Sequence, residues 1–114
     1  MIQIQVILDG TGLLRRCEIR GHAGAGPKGG DIVCAAVSVL ARAALGALSG
    51  REGIVVRGGP GGSRGEFSLE TEARTGAARD FLAAAGAFLV EGLRSVAGEY
   101  PKNCTMTIQN ERRN

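Results

Sequence analysis

Two side chains in this 114-residue sequence combine nucleophilic chemistry with a workable separation: His22, the only histidine, and Cys34. An imidazole beside a thiol can take its proton and later hand it to a leaving amine, the division of labour in nucleophilic acyl transfer. The residues after Asp31 have helical periodicity, which puts Cys34 in a first turn. Thiolates at a helix start are stabilised by N–H groups without helical partners and by the positive end of the helix dipole. The same N–H groups are suited to form an oxyanion hole. Asp31 stands in position to cap that turn and also to orient an imidazole. Ser38 lies one turn beyond Cys34, where it either bonds back to a helix carbonyl or faces the same site. Spacing alone leaves a plainer reading open. Within Ile32-Val33-Cys34-Ala35-Ala36 the thiol also suits a small buried hydrophobe, and a histidine at a strand end also suits the surface.

Other chemistries fit less well. Cys17, His22, Cys34 and Cys104 contain no CxxC or HxxxH pair, and Cys17 and Cys104 share the parity of apolar neighbours, so neither a metal nor a cofactor is expected. Gly24-Ala25-Gly26-Pro27-Lys28-Gly29 matches GxGxxG formally, yet the strands around it pattern as hairpins and not as the parallel βαβ unit that a dinucleotide needs. Lys28 is followed by Gly29, not by Ser or Thr, which excludes a phosphate-cradling Walker loop.

The elements that must hold these residues follow from periodicity. Ile2, Ile4, Val6 and Leu8 alternate with Gln3 and Gln5, the period of a half-buried strand. After the turn at Asp9-Gly10-Thr11-Gly12 the alternation resumes, with Leu13, Cys17 and Ile19 on one side up to Arg20, which predicts a hairpin. Gly21 to Gly30 is glycine-rich, a segment that bends at little steric cost and loses much entropy when ordered. From Asp31 to about Leu48 the apolar positions Ile32, Val33, Ala36, Val37, Leu40, Ala43, Ala44 and Ala47 predict a helix ending near Ser49-Gly50. Ile54 to Val56 predicts a short strand, Gly58 to Gly65 a glycine-rich loop, and Phe67 with Leu69 another strand. Ala78, Phe81, Leu82, Ala85, Phe88, Leu89, Leu93 and Val96 trace one stripe of a second helix between Thr75 and Ala97. Cys104, Met106 and Ile108 alternate in a last strand. The expected fold is α+β in the order ββαββαβ: a mixed, mainly antiparallel sheet with two helices packed on it. Residues 1–110 form one domain, and 111–114 a polar tail.

Composition agrees with a globular domain, at 44% hydrophobic and 22% charged residues. The longest nearly apolar stretch, Ile32 to Leu48, is broken by Ser38 and Arg42 and falls short of the roughly 20 residues of a bilayer span, so no membrane association is expected. Three cysteines cannot all pair, which points to a reducing compartment and a cytoplasmic location. The net charge of +3 is compatible with an anionic partner. A noncatalytic ribosome- or RNA-associated module, contacting phosphates through Arg15, Arg16, Arg20 and Lys28, is therefore the alternative. Aromatic side chains are few and mostly lie on apolar stripes, which leaves little for base stacking and makes direct nucleic-acid binding the lesser expectation.

The string Gly21-His22-Ala23-Gly24, followed by Gly30-Asp31-Ile32-Val33-Cys34-Ala35-Ala36-Val37-Ser38, resembles the signature of the ribosomal-processing cysteine protease (Prp) family. The resemblance joins two blocks at the family's separation, and the surrounding pattern agrees over nearly the whole chain. It implies an endopeptidase that removes the N-terminal extension of ribosomal large-subunit protein 27, with Cys34 as nucleophile, His22 as general base, and Asp31 and Ser38 at supporting positions. It also implies a homodimer and a mobile loop between His22 and Cys34. An aromatic residue often occupies the place of Ala25 in the family, so this loop departs from the pattern there.

Overall fold

The structure, a computed structural model, describes residues 1–21, 30–62 and 65–111, with the backbone alone at 30 and 31. His22, Ala25, Lys28, the side chain of Asp31 and residues 112–114 of the expected tail lie outside the described residues. The elements are β1 (Ile2–Leu8), β2 (Leu14–Arg20), α1 (Gly30–Leu48), β3 (Ile54–Pro60), β4 (Phe67–Ala73), α2 (Gly76–Glu99) and β5 (Cys104–Asn110). This is the expected ββαββαβ order. One five-stranded sheet runs β3-β4-β2-β1-β5, antiparallel throughout except for the parallel pair β1–β5. The two hairpins join through β2 and β4, and α2 carries the chain across to lay β5 beside β1.

Alternation along β1 buries Ile2, Ile4 and Val6 under the helices and leaves Gln3 and Gln5 exposed on the opposite face. Cys17 and Ile19 on β2, Leu69 on β4 and Cys104 on β5 complete the buried face. Thr71, the one polar side chain on that part of β4, donates its hydroxyl to the Leu14 carbonyl at 2.7 Å, so its burial leaves no donor unmet. Above the sheet, α1 contributes Val33, Val37, Ala41 and Leu48, and α2 contributes Ala78, Leu82, Leu89 and Leu93. Thr75 caps α2 from an extended conformation, its hydroxyl accepting from the Ala78 N–H at 3.1 Å. By length and composition alone α2 is apolar enough to cross a membrane, but in this fold its leucine face is packed into the core.

Four details differ from the periodicity. Leu14, and not only Leu13, is buried, because the register with β1 shifts after Ile7: Arg16 pairs with Ile7 while Leu14 pairs with Leu8, leaving Arg15 as an extra residue that reverses the alternation. Ile32 and Phe88 are 61% and 76% exposed. Each precedes a buried residue, Val33 or Leu89, by one position, which turns it about 100° away from the core. Ala43, Ala47 and Ile108 are exposed as well. Finally, β3 does not stop at Val56. It continues through Gly58 and Gly59 to Pro60, paired with β4 down to Phe67. Gly58 holds φ +110, and a Cβ there would overlap the Ser68 carbonyl of β4, so its glycine permits close strand approach where the sequence suggests a loop. Pro60 is tolerated because β3 is an edge strand.

Candidate active site

The start of α1 is anchored from below. Val33 is fully buried and fixes the first turn onto the sheet, while Ile32 points outward. Cys34, the next residue, falls on the boundary and is half-buried against the core. A helical side chain leans toward the helix N-terminus, so the Cys34 sulfur lies over the turn whose N–H groups have no helical acceptor.

Cys34 opens into a cleft of about 400 Å³. Three parts of the fold form its walls. Along α1, Ser38 and Arg42 follow Cys34 at successive turns. The sheet contributes Ile2 and Ile19 from the adjacent ends of β1 and β2, and the β3–β4 hairpin contributes Pro60, Glu66 and Phe67. Gly21 closes the sheet end. Its φ is +87 and a Cβ would overlap the Met1 carbonyl, so only glycine lets the chain leave β2 against β1 on its way to residue 22.

The three thiols have separate environments. Burial, and then the Glu18 carboxylate, push the Cys17 thiol up to about 12, which keeps it protonated and inert. The Cys104 thiol is likewise raised, first by burial and second by the charge of Cys34. Cys104 pairs with Ile2 across β1–β5, and Ile2 lines the cleft, so the two sulfurs lie near each other on different elements. Among the described residues, Cys34 is the cysteine that reaches the cleft. Nearby, the Asn103 Nδ2 is buried without a hydrogen-bond partner, while the Asn103 carbonyl accepts from the Ile2 N–H at 2.8 Å.

The sequence-derived residues thus divide. Cys34 and Ser38 share one cleft, Asp31 contributes backbone to the same first turn, and His22 lies outside the described residues. Periodicity does not single out Arg42, Glu66 or Phe67. Arg42 carries a readable signal, since it stands two helical turns beyond Cys34, whereas Phe67 and Glu66 come from the second hairpin and meet the site only through the β2–β4 pairing. Arg42 and Glu66 give the cleft one charge of each sign, and neither makes an ion pair among the described residues. The arginines of the alternative reading differ in this. Arg16 and Arg20 flank Glu18 at 3.0 and 3.3 Å, and Arg15 lies 3.9 Å from Glu111.

A family model described as Cysteine protease Prp matches residues 1–105 of the chain. Among solved structures, SMU.848 from Streptococcus mutans is similar with a TM-score of 0.81 and 28% identity, over 97% of this chain and 96% of that one. An essential ribosomal processing protease Prp from S. aureus, in complex with a substrate peptide, is similar with a TM-score of 0.79 and 20% identity, over 95% and 99%. A hypothetical protein from Staphylococcus aureus follows at 0.68 and 14%, over 97% and 100%. These structures share the fold. No curated protein matches the chain.

Proposed function

Since the chain belongs to the cysteine protease Prp family, we propose that this cysteine protease removes the N-terminal extension of ribosomal large-subunit protein 27, with Cys34 as its nucleophile and His22 as its general base. The observation that carries the reading is the half-buried Cys34 at the start of α1, opening into a cleft walled by α1, the sheet end and the β3–β4 hairpin. The cleft gives an extended peptide an apolar floor at Ile19 and Phe67, with the scissile carbonyl carbon against the sulfur.

In this mechanism His22 takes the thiol proton and Cys34 Sγ bonds to the carbonyl carbon. The first-turn N–H groups of α1 receive the developing oxyanion. The C–N bond then breaks as His22 returns the proton to the leaving amine, and water cleaves the thioester to release the acid and restore the thiol. α1 begins at Gly30, so Asp31 stands within the first turn and not at its cap; it is the supporting residue on the backbone side of the site, and Ser38 lines the cleft beside the nucleophile.

A homodimer in the cytoplasm completes the reading. The exposed apolar side chains Ile32, Val39 and Phe88 support a second copy as their cover, and an odd number of cysteines suits a reducing compartment. The alternative of RNA contact through Arg15, Arg16, Arg20 and Lys28 has less support, since the three arginines lie beside carboxylates of this chain that lower the local positive charge.

The test is incubation with full-length ribosomal protein 27 from the same genome, read by intact mass. Trimming at one N-terminal position is expected, abolished in Cys34→Ala while the thermal transition stays within a few degrees of the wild type. An intact precursor, or trimming that persists in Cys34→Ala, would overturn the reading.

A further inference from the structure

The far end of the cleft carries a charge that bond cleavage does not use. Cys34, Ser38 and Arg42 recur every fourth residue on one side of α1 and line the same cavity. Eight helical steps lead from the nucleophile to the guanidinium-bearing position, a rise of about 12 Å. An extended peptide advances ~3.3 Å per residue, so a substrate lying along α1 with its scissile bond at Cys34 brings its third or fourth residue from that bond beside Arg42. The floor between the two ends is apolar, formed by Ile19, Val37 and Phe67. Arg42 itself has no carboxylate of this chain within ion-pair distance among the described residues.

We propose that Arg42 is a specificity-determining residue that selects substrates bearing an aspartate or glutamate three or four residues from the cleaved bond. The proposal rests on the reading of Cys34 as nucleophile, which sets the zero of the count. A planar guanidinium presents paired N–H donors to a carboxylate, and a bound peptide over an apolar floor displaces the water that would otherwise screen them. Glu66, on the facing hairpin wall, opposes the same carboxylate, so the selectivity of the native cleft is the difference between the two. Removing Glu66 therefore sharpens the preference, and removing Arg42 abolishes it.

The test uses peptides spanning the processing site of the protein 27 precursor, with Glu, Gln or Lys placed singly at each of the second to fifth positions on either side of the bond. On the wild type, kcat/KM is measured. On Cys34→Ala, which binds without cutting, Kd is measured. At one position, three or four residues out, Glu is expected to exceed Lys by about tenfold in both readouts. Arg42→Gln flattens that ratio, Arg42→Glu reverses it, and Glu66→Gln widens it. Equal values for Glu, Gln and Lys at every position would overturn the proposal, as would a Glu preference that survives in Arg42→Gln. Loss of the nucleophile reading shows itself separately: no peptide is cut, while the Arg42-dependent difference in Kd persists.

Discussion

Gly58→Ala tests whether the cleft wall depends on a single point of close strand approach. Gly58 has φ +110, a region in which an L-residue is strained by about 1–2 kcal/mol. An alanine Cβ would also overlap the Ser68 carbonyl and lie 2.8 Å from the Ser68 carbonyl carbon, both rigid backbone atoms of β4. Relief requires β3 to move away where Gly58 faces Leu69 and Gly59 faces Ser68, with loss of one or two ladder hydrogen bonds at about 1 kcal/mol each. The expected destabilisation is about 2–4 kcal/mol. Gly12→Ala supplies the control, since Gly12 has φ +87 with nothing within 4 Å of a built Cβ, so it carries strain without overlap. Urea unfolding followed by far-UV circular dichroism measures both, with a midpoint shift at unchanged m as the required signature. Because the β3–β4 hairpin holds Pro60, Glu66 and Phe67 against the cleft, peptide affinity should fall in Gly58→Ala and not in Gly12→Ala. If Gly58→Ala proves no less stable than Gly12→Ala, the strand contact does not constrain the hairpin and the reasoning fails.

Stability should fall as pH rises above 9.0 toward about 12, because an unfolded Cys17 thiol releases a proton that the buried one keeps. The slope from this group approaches 1.4 kcal/mol per pH unit, about one proton's worth, and Cys17→Val should flatten it in unfolding curves taken on either side of pH 9. Asp9 acts at the acid end. Burial raises its carboxyl, but hydrogen bonds from Thr11 and Leu13 and the Arg79 guanidinium outweigh that effect and hold it below 3.8. Its contribution is therefore present above that pH and lost as pH falls through the lowered value, so Asp9→Asn should be less stable than wild type near neutrality, with the gap closing on acidification. Gly46→Ala, on α1 with open space around the new methyl group, should stabilise the domain by about 0.5–1 kcal/mol in the same urea assay.

Local patterns in the sequence were sufficient for the type and order of every element and for placing Cys34 near a helix start, whereas its reading as a nucleophile came from the family resemblance. The alternation of Ile2, Ile4 and Val6 and the run from Val33 to Leu48 are set by one buried surface each, and that surface is written into nearby residues. Where the structure departs, a distant contact decides. Gly58 and Gly59 have loop composition but belong to β3, because β4 offers a partner close enough that only glycine fits. Gly86 lies on the buried side of α2 against Leu14, and Gly92 admits Leu40 of α1, so small residues carry part of the packing that an apolar count assigns to Phe88. The candidate site shows the same division. Cys34, Ser38 and Arg42 lie in one helix and their spacing is visible in the sequence, whereas Phe67 and Glu66 reach the cleft through strand order, which no local pattern encodes.

The parallel pairing of β1 with β5 has a consequence for biogenesis. Ile2 faces Cys104 and Leu8 faces Asn110, residues roughly a hundred positions apart, the kind of long-range closure that slows folding. At translation rates of about 5–20 residues per second, β1 emerges some 5–20 s before the strand that covers its outer edge. Between the emergence of β4 and that of β5 a nascent chain holds both hairpins but an open flank beside Ile2, which lines the cleft. No β5 residue lines the cleft, so what a chain stalled before Cys104 lacks is the cover of β1, and its bare strand edge would be an aggregation hazard.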